Sequence, residues 1–308
     1  MLIVTLIPLI LAARLNYPAS SWKDGEKAKV TYMIHDQAIK TYFTSSNQPD
    51  EVFNLKALLT CQLLRTGYYC YFHDVDIKTI LADEKPNANT SMKFMSNDSY
   101  LKKLLEQDDV LAETRNQEYM VIWVPKDIEA LGRNVITALF QPLNLGLNFQ
   151  SQLTGNFETK SDTAGGRCKA RFLVTRSAEQ NEGKNSDMEF FLISRPEEPL
   201  DRPLEIFKKV DEKCANDHLY MYSPAVSREY HSFSTNIKID THSVEGFTII
   251  TRNNISSYGK NVFSITNNQD QTKYLIDESL SVTLYSIEEI KCDEVKNEDD
   301  CIDERIAN

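Results

Sequence analysis

The residues that could do chemistry are few, and they are scattered along the chain. The densest group is His73, Asp74 and Asp76 in YFHDVD, whose imidazole and carboxylates are ligand types that zinc uses. Alternating polar residues on the solvent face of a strand explain this group better than a metal site does. The chain has no G-x-S-x-G, H-E-x-x-H, P-loop or G-x-G-x-x-G motif, and its five histidines do not cluster. We therefore predict that the protein is not an enzyme and holds no metal or cofactor.

Six cysteines are the other reactive side chains, and their even number without a C-x-x-C pair favours disulfides over a zinc site. In CQLLRTGYYC, a two-residue turn at the central RT would place Cys61 opposite Cys70 in a hairpin. A turn that includes Gly67 would instead slip the register by one residue and separate the two cysteines. Cys292 and Cys301 have the same spacing, and we expect them to close a small local loop.

The amino terminus predicts export from the cell. An apolar run over residues 2–13 is too short to span a membrane as a helix and ends in small residues, so residues 1–19 are predicted to be a signal peptide. Three sequons, at Asn89, Asn97 and Asn254, fit glycosylation in the same compartment. The predicted location is therefore extracellular.

The charge distribution argues against nucleic acid as a partner. The net charge is -11 and there is no basic cluster, whereas phosphate binding depends on Lys and Arg. Residues 291–308 form an acidic tail, which we interpret as a solvated end rather than a docking peptide. No later stretch approaches eighteen apolar residues, so we predict no transmembrane span.

Most of the chain alternates between apolar and polar residues as strands do. KAKVTYMIH, EYMVIWVP, CKARFLVTR, NIKIDTH, GFTIITR, NVFSITN and SVTLYSI follow this pattern, separated by the turn-like YGK, AGGR and NNQDQ. NLKALLTCQLLR is ambiguous between helix and strand. SYLKKLLEQDDVLAE has leucines at helical spacing and predicts a short surface helix.

One stretch, DIEALGRNVITALFQP at residues 127–142, predicts an amphipathic helix, with Asp127 as its cap and Pro142 at its end. The residues on its apolar side are Ile128, Leu131, Val135, Ile136, Leu139 and Phe140. Burying them would contribute a gross driving force of roughly ten kcal/mol, so this side must face a sheet, a lipid or a partner. The predicted fold is mainly β: an antiparallel, barrel-like sheet wrapped around one central amphipathic helix, with a minor surface helix.

Five segments, taken in order, resemble the amino-terminal domain of vitellogenins and related large lipid transfer proteins. They are WKDGEKAKVTYMI, YMVIWVPKDIEALGRNVITALFQPL, GGRCKARFLV, KKVDEKC and GKNVFSITNN with SLSVTLYSIEEI. The resemblance implies that residues 20–290 are one vitellogenin-N-like β-barrel domain with the helix as its plug. By position, Cys168 and Cys214 match the family's disulfide pair. The chain departs from the family in a longer loop between these cysteines, and in TRNQEY where an Asn-Gly turn is usual.

In the family, a helical horseshoe and further sheets follow this domain and enclose a lipid cavity. The resemblance therefore implies a stand-alone amino-terminal domain or a fragment of a longer gene product. It also implies a secreted lipid-transport-family protein that acts in lipoprotein or receptor recognition without the bulk lipid cavity. The expected partners are lipid or lipoprotein and a cell-surface receptor. The alternative is a small extracellular carrier of one hydrophobic ligand within the β-barrel.

Overall fold

The structure is a computed structural model, and it describes most of the chain between residues 28 and 289. The described ranges are 4–6, 11–15, 28–43, 50–64, 67–82, 93–96, 99–107, 109–115, 119–125, 128–143, 154–163, 166–176, 188–192, 203–218, 222–233, 236–251 and 254–289.

Strands dominate the described residues. They are β1 (Val4–Leu6), β2 (Leu11–Leu15), β3 (Ala28–Tyr42), β4 (Asp50–Leu64), β5 (Gly67–Ala82), β6 (Lys93–Ser96), β7 (Val110–Arg115), β8 (Tyr119–Trp123), β9 (Gly155–Thr163), β10 (Gly166–Arg176), β11 (Met188–Leu192), β12 (Leu204–Val210), β13 (Ile237–Ile250), β14 (Ile255–Asn267) and β15 (Lys273–Glu289). The helices are α1 (Ser99–Gln107), α2 (Ala130–Phe140), α3 (Glu212–His218) and α4 (Pro224–Phe233), and a 3-10 turn, Gln141–Leu143, follows α2. The prediction of a mainly β chain is confirmed.

In the described part of the chain, thirteen strands form one antiparallel sheet in the order β1-β8-β7-β5-β4-β3-β15-β14-β13-β12-β10-β9, and β6 pairs with β5 beside this path. A second, two-stranded sheet pairs β11 with β2. Among the described residues, the end strands β1 and β9 are not hydrogen-bonded to each other, so the sheet is open. The predicted barrel-like closure is therefore wrong for this part of the chain. Among the described residues, four helices contribute side chains to the core rather than one, which does not match a sheet closed around a single helix.

The core lies on one face of the sheet, which we call the inner face. In β3, Tyr32, Ile34 and Ala38 are buried, while the residues between them are mostly more exposed. The ambiguous segment 54–65 belongs largely to β4, and its Leu55 and Leu59 are buried at the spacing of a strand. The burial of every second residue therefore identifies this segment as a strand, which the sequence alone could not distinguish from a helix.

One predicted turn is wrong. YGK, at residues 258–260, lies in the middle of β14, where Gly259 is directly opposite Gly246 of β13. The predicted strands on either side of it therefore belong to longer, continuous strands. A glycine in a sequence often marks a turn, but here both glycines pair with neighbours in the sheet.

Helix α2 is buried and shares the core with the other helices. Ile128 precedes it, and the Ile128 N–H donates to the Pro125 carbonyl at 3.3 Å, which forms a turn and delays the helix until Ala130. The predicted cap is also wrong, because the N-cap residue is Glu129, without a side-chain hydrogen bond, while Asp127 lies outside the described residues. Of the six predicted apolar residues, five are buried and one is partly buried: Ile128, Val135, Ile136, Leu139 and Phe140, and then Leu131.

Aromatic and helix–helix contacts fix the position of α2. The Phe140 ring meets the Phe72 ring of β5 edge to face, with 6.0 Å between the ring centroids. Gly132 lies against α1 so closely that an added Cβ would be 2.5 Å from a methyl carbon of Leu104. The predicted surface helix is α1, which buries Leu101, Leu104 and Leu105 and ends before β7, so the last residues of its predicted segment form a strand.

Candidate functional site

The predicted cysteine pairs are brought together in two places. Cys61 and Cys70 are directly opposite each other in β4 and β5 and form a disulfide with 4.1 Å between their Cα atoms. Cys168 of β10 and Cys214 of α3 form a second disulfide, with 5.6 Å between their Cα atoms. The first disulfide follows from the two-residue turn, because Leu64 pairs with the residue that begins β5.

Other predicted site residues are on the surface or outside the described part. Asn254 is exposed just before β14, where its N–H donates to Thr251 Oγ1 at 2.9 Å, so its side chain is accessible to modification. The remaining predicted residues, Asn89, Asn97, Cys292 and Cys301, lie outside the described residues. Strands β1 and β2 lie within the predicted signal peptide, whose cleavage stays a prediction.

The His73 group is explained by a β-bulge. The register of β5 shifts at Asp74, whose φ is 52°, and the Val75 N–H that the bulge leaves unpaired in the ladder donates to Glu106 Oε1 at 3.1 Å. His73 Nε2 is 2.8 Å from Thr60 Oγ1, and its Nδ1 is 3.1 Å from Asp74 Oδ2. Among the described residues, no group of three His, Cys, Asp or Glu side chains could hold a metal ion.

Four large apolar side chains form a row across the outer face, the face opposite the core. Leu173 of β10 is in register with Phe207 of β12, Phe207 with Phe247 of β13, and Phe247 with Tyr258 of β14. Their exposed fractions are 42%, 38%, 36% and 40%, in that order. We call this row the apolar ladder. Single exposed apolar residues are normal on proteins, but a contiguous row marks a contact surface.

A row of charged residues borders the apolar ladder two residues further along each strand. Its members are Arg171, Lys209, Glu245 and Lys260, with Glu158 opposite Arg171 in β9. Lys209 binds Glu245 at 2.9 Å, and Lys260 is 3.7 Å from Asp277, which lies opposite Val262. Glu158 is 2.9 Å from Lys169 and 3.7 Å from Arg171. Each charged side chain at the border of the ladder therefore lies within 4 Å of an opposite charge.

The inner face behind the apolar ladder holds a buried lysine beside two glycines. Phe172, Lys208, Gly246, Gly259 and Leu280 follow one another across five strands in register. Only 7% of the Lys208 surface is exposed, and burial lowers the pKa of its ammonium group to about 8. A Cβ added at either glycine would have no neighbour closer than 3.8 Å, so there is space for a small side chain at both positions.

A cavity of about 40 Å³ occupies this space. The 3-10 turn covers it with Gln141 and Pro142, and the Pro142 carbonyl accepts a hydrogen bond from Ser257 Oγ of β14. The apolar walls are Ile206, Val210, Val244 and Leu280. Gln141 Oε1 is buried and has no hydrogen-bond partner among the described residues. The cavity therefore combines a cation, apolar walls and an acceptor that needs a donor.

Next to this cavity, a buried carboxylate holds the start of α4. Glu278 Oε1 accepts from the Ala225 N–H at 2.7 Å, and Glu278 Oε2 accepts from Asn261 Nδ2 at 3.3 Å. Ser223 caps the same helix through its Oγ, which accepts from the Val226 N–H at 3.1 Å. Burial raises the pKa of Glu278 to about 7, while the hydrogen bonds that its carboxylate accepts from Ser223, Ala225 and Asn261 lower the pKa.

Asp36 is a second buried carboxyl group on the inner face, and its two oxygens have no hydrogen-bond partner in the described part of the chain. It lies in the strand beside Glu278, opposite Leu280. Burial raises the pKa of Asp36 well above its usual value, the nearby Glu278 raises it further, and Arg228 opposes both. We interpret Glu278 as a structural cap of α4 and Asp36 as its neighbour. Among the described residues, no third His, Cys, Asp or Glu joins them in a group that could hold a metal ion.

Sequence reasoning missed the apolar ladder, Lys208 and the glycine pair. The sequence contains one indication of these features: in VEGFTII and in SSYGKNV, a glycine inside the strand lies next to an aromatic residue. Neither segment shows that the two glycines pair. In the described residues, no helix has both the length and the apolar character needed to cross a membrane.

No protein-family model and no curated protein sequence matches the chain. A solved structure of lipovitellin superposes on 88% of this chain with a TM-score of 0.54 and 11% sequence identity. The chain spans 26% of that lipovitellin chain, and at this identity the likeness shows a shared fold. An amino-terminal dehydratase from the difficidin assembly line and a hot-dog-fold protein from Alicyclobacillus acidocaldarius reach TM-scores of 0.15 and 0.11, too low to support an argument.

Proposed function

We propose that the protein is a secreted lipid-transport-family protein that recognises a lipoprotein through the apolar ladder rather than storing bulk lipid. The ladder carries this proposal, because four large apolar side chains remain exposed in register on the face of the sheet opposite the core. The lipovitellin structure concerns the interactions of that protein with lipid. The shared fold therefore supports a lipid partner for this chain.

The ladder favours a neutral lipid surface over an anionic one. Each Lys or Arg at its border already has a carboxylate within 4 Å, which weakens its attraction for anionic head groups. In this proposal, the apolar side chains insert among neutral lipids and the paired charges remain at the polar boundary. Helix α2 would act as the central support beneath the sheet.

Export is part of the same proposal. The two disulfides support an oxidising compartment, where such bonds persist. Cleavage after residue 19 and a glycan at the exposed Asn254 would follow from secretion. A cell-surface receptor that contacts the ladder is the other recognition partner we consider.

The cavity beneath the 3-10 turn does not support the carrier alternative. A cavity of about 40 Å³ holds only about three water molecules. Pockets that enclose drug-sized ligands have volumes of roughly 300–1,000 Å³. A whole lipid does not fit in this cavity.

Flotation with lipid particles tests the proposal. The purified protein is mixed with phosphatidylcholine-coated triglyceride emulsions, and the floating fraction is measured. We expect the wild type to float and the double variant Phe207→Ser/Phe247→Ser to remain in solution. Tyr285→Ser is the matched control, because Tyr285 is 64% exposed but lies outside the ladder, and this variant should float like the wild type.

Two outcomes would count against the proposal. If the wild type stays in solution, lipid recognition is wrong, and ladder-dependent binding to cells would then favour a receptor. If all three proteins float equally, the ladder is not the contact surface. Circular dichroism of each variant establishes that the fold is retained.

A further inference from the structure

Two buried carboxyl groups lie beneath the start of α4, and lipid recognition on the outer face does not use them. Asp36 of β3 and Glu278 of β15 are both fully buried. Glu278 is directly opposite Ala38 in the sheet. Asp36 is two residues before Ala38 in β3, so the two carboxyl groups are diagonal neighbours on the inner face. Two negative charges so close together in the core are costly, and a proton on one of them removes this cost.

The two groups differ in what surrounds them. Glu278 accepts hydrogen bonds from the Ala225 N–H and from Asn261 Nδ2, and the Ser223 side chain adds a third. It also lies at the amino end of α4, where a negative charge is favoured. Neither oxygen of Asp36 has a hydrogen-bond partner among the described residues. Because an unpartnered carboxyl group is much less costly to bury when it is neutral, we place the proton on Asp36 and the charge on Glu278.

One positive group faces this pair. Burial, and then the nearby Glu278, raise the pKa of Asp36 well above its usual value, and Arg228 of α4 opposes them. The residue opposite Asp36 in β4 is Leu55, which is uncharged. The residue opposite Glu278 in β14 is Asn261, which is also uncharged. Two carboxylates and one guanidinium would leave one negative charge, which a single bound proton removes.

The next charged groups along the inner face are already paired with one another. Lys40 of β3 lies 3.3 Å from Glu229 of α4 and 3.8 Å from Glu51 of β4. The Tyr274 hydroxyl of β15 also donates to Glu229, at 2.7 Å. This group has one cation for two carboxylates, so it supplies no spare positive charge to Asp36.

Helix α4 is the element that can relieve a second charge beneath it. It has ten residues, and its start is held by Glu278. Further along it, the guanidinium carbon of Arg228 lies 4.2 Å from the centre of the Phe53 ring, and Glu229 accepts from Tyr274. Movement of α4 away from the sheet would let water reach both carboxylates, whereas β3 and β15 are joined by a long ladder. Charge repulsion therefore favours local opening of α4 over disruption of the sheet.

We propose that Asp36 and Glu278 together retain one proton and form a pH-sensitive clasp that holds α4 on the inner face. While the proton is bound, Glu278 caps α4 without a second charge beside it. When the proton is lost, the two carboxylates repel each other and α4 opens more often, which exposes the inner face around Phe53. The clasp and the apolar ladder are on opposite faces of the sheet, so this proposal does not rest on lipid recognition.

Hydrogen–deuterium exchange of the full chain, followed by mass spectrometry of peptides from α4, tests the clasp. Exchange is measured at pH 5.5 and pH 7.5 and corrected for the intrinsic effect of pH. A carboxyl group whose pKa is higher in the closed state than in the open state makes opening increase with pH, by up to about tenfold per pH unit. We expect the opening constant of α4 to rise at least about tenfold between the two pH values. The opening constant of α1, which is the internal reference, should rise much less.

Variants separate the charge from the shape of the pair. Asp36→Asn keeps the size of the side chain and cannot ionise, so the remaining carboxylate is balanced by Arg228 and most of the rise should be lost. Glu278→Gln should also lose most of the rise, although it weakens the cap of α4. Asp277→Asn is the matched control, because Asp277 is next to Glu278 in sequence but is partly exposed and lies 3.7 Å from Lys260. This control should show the full rise.

Three results would overturn the proposal. The first is an opening constant of wild-type α4 that does not change with pH. The second is an equal rise in α1, which would indicate global unfolding. The third is an undiminished rise in Asp36→Asn or, if that variant does not fold, in Glu278→Gln. Failure of flotation with lipid particles would leave the exchange of α4 unchanged, so the two proposals fail separately.

Discussion

Replacing Lys208 by methionine should stabilise the protein at neutral pH. Methionine matches the length of the aliphatic part of lysine and has no charge to bury. Burial lowers the pKa of Lys208 from 10.5 to about 8. A change of one in pKa corresponds to about 1.4 kcal/mol, so the buried charge costs about 3 kcal/mol at pH 7. We expect Lys208→Met to raise the free energy of unfolding by an amount of this order.

The pH dependence identifies the cause. Below pH 8, both the folded and the unfolded chain hold the lysine proton, so the full cost of burial is present. As the pH rises above 8, the folded state releases the proton first, and the cost falls to about 2 kcal/mol at pH 9. The advantage of Lys208→Met should therefore be smaller at pH 9 than at pH 7.

Urea unfolding at both pH values, followed by far-ultraviolet circular dichroism with the disulfides intact, measures this difference. The control is Lys209→Met, whose lysine is partly exposed and paired with Glu245, and it should lose no more than about 1 kcal/mol. A Lys208→Met protein that is less stable than the wild type at pH 7 would refute the reasoning. So would a gain that is equal at the two pH values.

Three further predictions concern the core and the disulfides. Because burial raises the pKa of Glu278 to about 7, wild-type stability should fall as the pH rises from 5 to 8, and Glu278→Gln should flatten this slope in thermal unfolding. Cys214→Ser opens a loop with a sequence separation of 46, and the chain-entropy model predicts that the free energy of unfolding falls by about 4 kcal/mol. Cys61→Ser opens a loop with a separation of 9, and the predicted loss is about 3 kcal/mol. Equal urea midpoints for the two variants would contradict this order. Leu139→Ala, in a fully buried position of α2, should cost about 2–5 kcal/mol in urea unfolding, and the partly buried Leu131→Ala should cost less.

The local features of the fold could be predicted from the sequence because they depend on short-range periodicity. Alternation indicated the strands that contain Ile34 and Phe172, and helical spacing indicated α2. The hairpin between Cys61 and Cys70 is also local, because a two-residue turn sets its register.

The features that depend on strand order could not be predicted. Ser281 of β15 lies beside His35 of β3, and its Oγ donates to the His35 carbonyl at 3.2 Å across 246 residues of sequence. No periodicity within either strand indicates this pairing. The apolar ladder has the same origin, because each strand contributes one residue and only the register aligns them. The width of the sheet depends on how many helices cover its inner face, which no single segment determines.

The location of the unusual residues is the strongest argument for function in this part of the sheet. In β12, β13 and β14, an exposed aromatic residue of the ladder is the immediate neighbour of a residue of the cavity: Phe207 of Lys208, Phe247 of Gly246, and Tyr258 of Gly259. Exposed aromatic side chains, a buried cation and interior glycines each reduce stability. If the exposed aromatic residues, the buried lysine and the two glycines had arisen independently, we would expect them in different strands and at different positions in the sheet. Their coincidence in one row of three adjacent strands is expected if function, rather than stability, determines the residues on both faces.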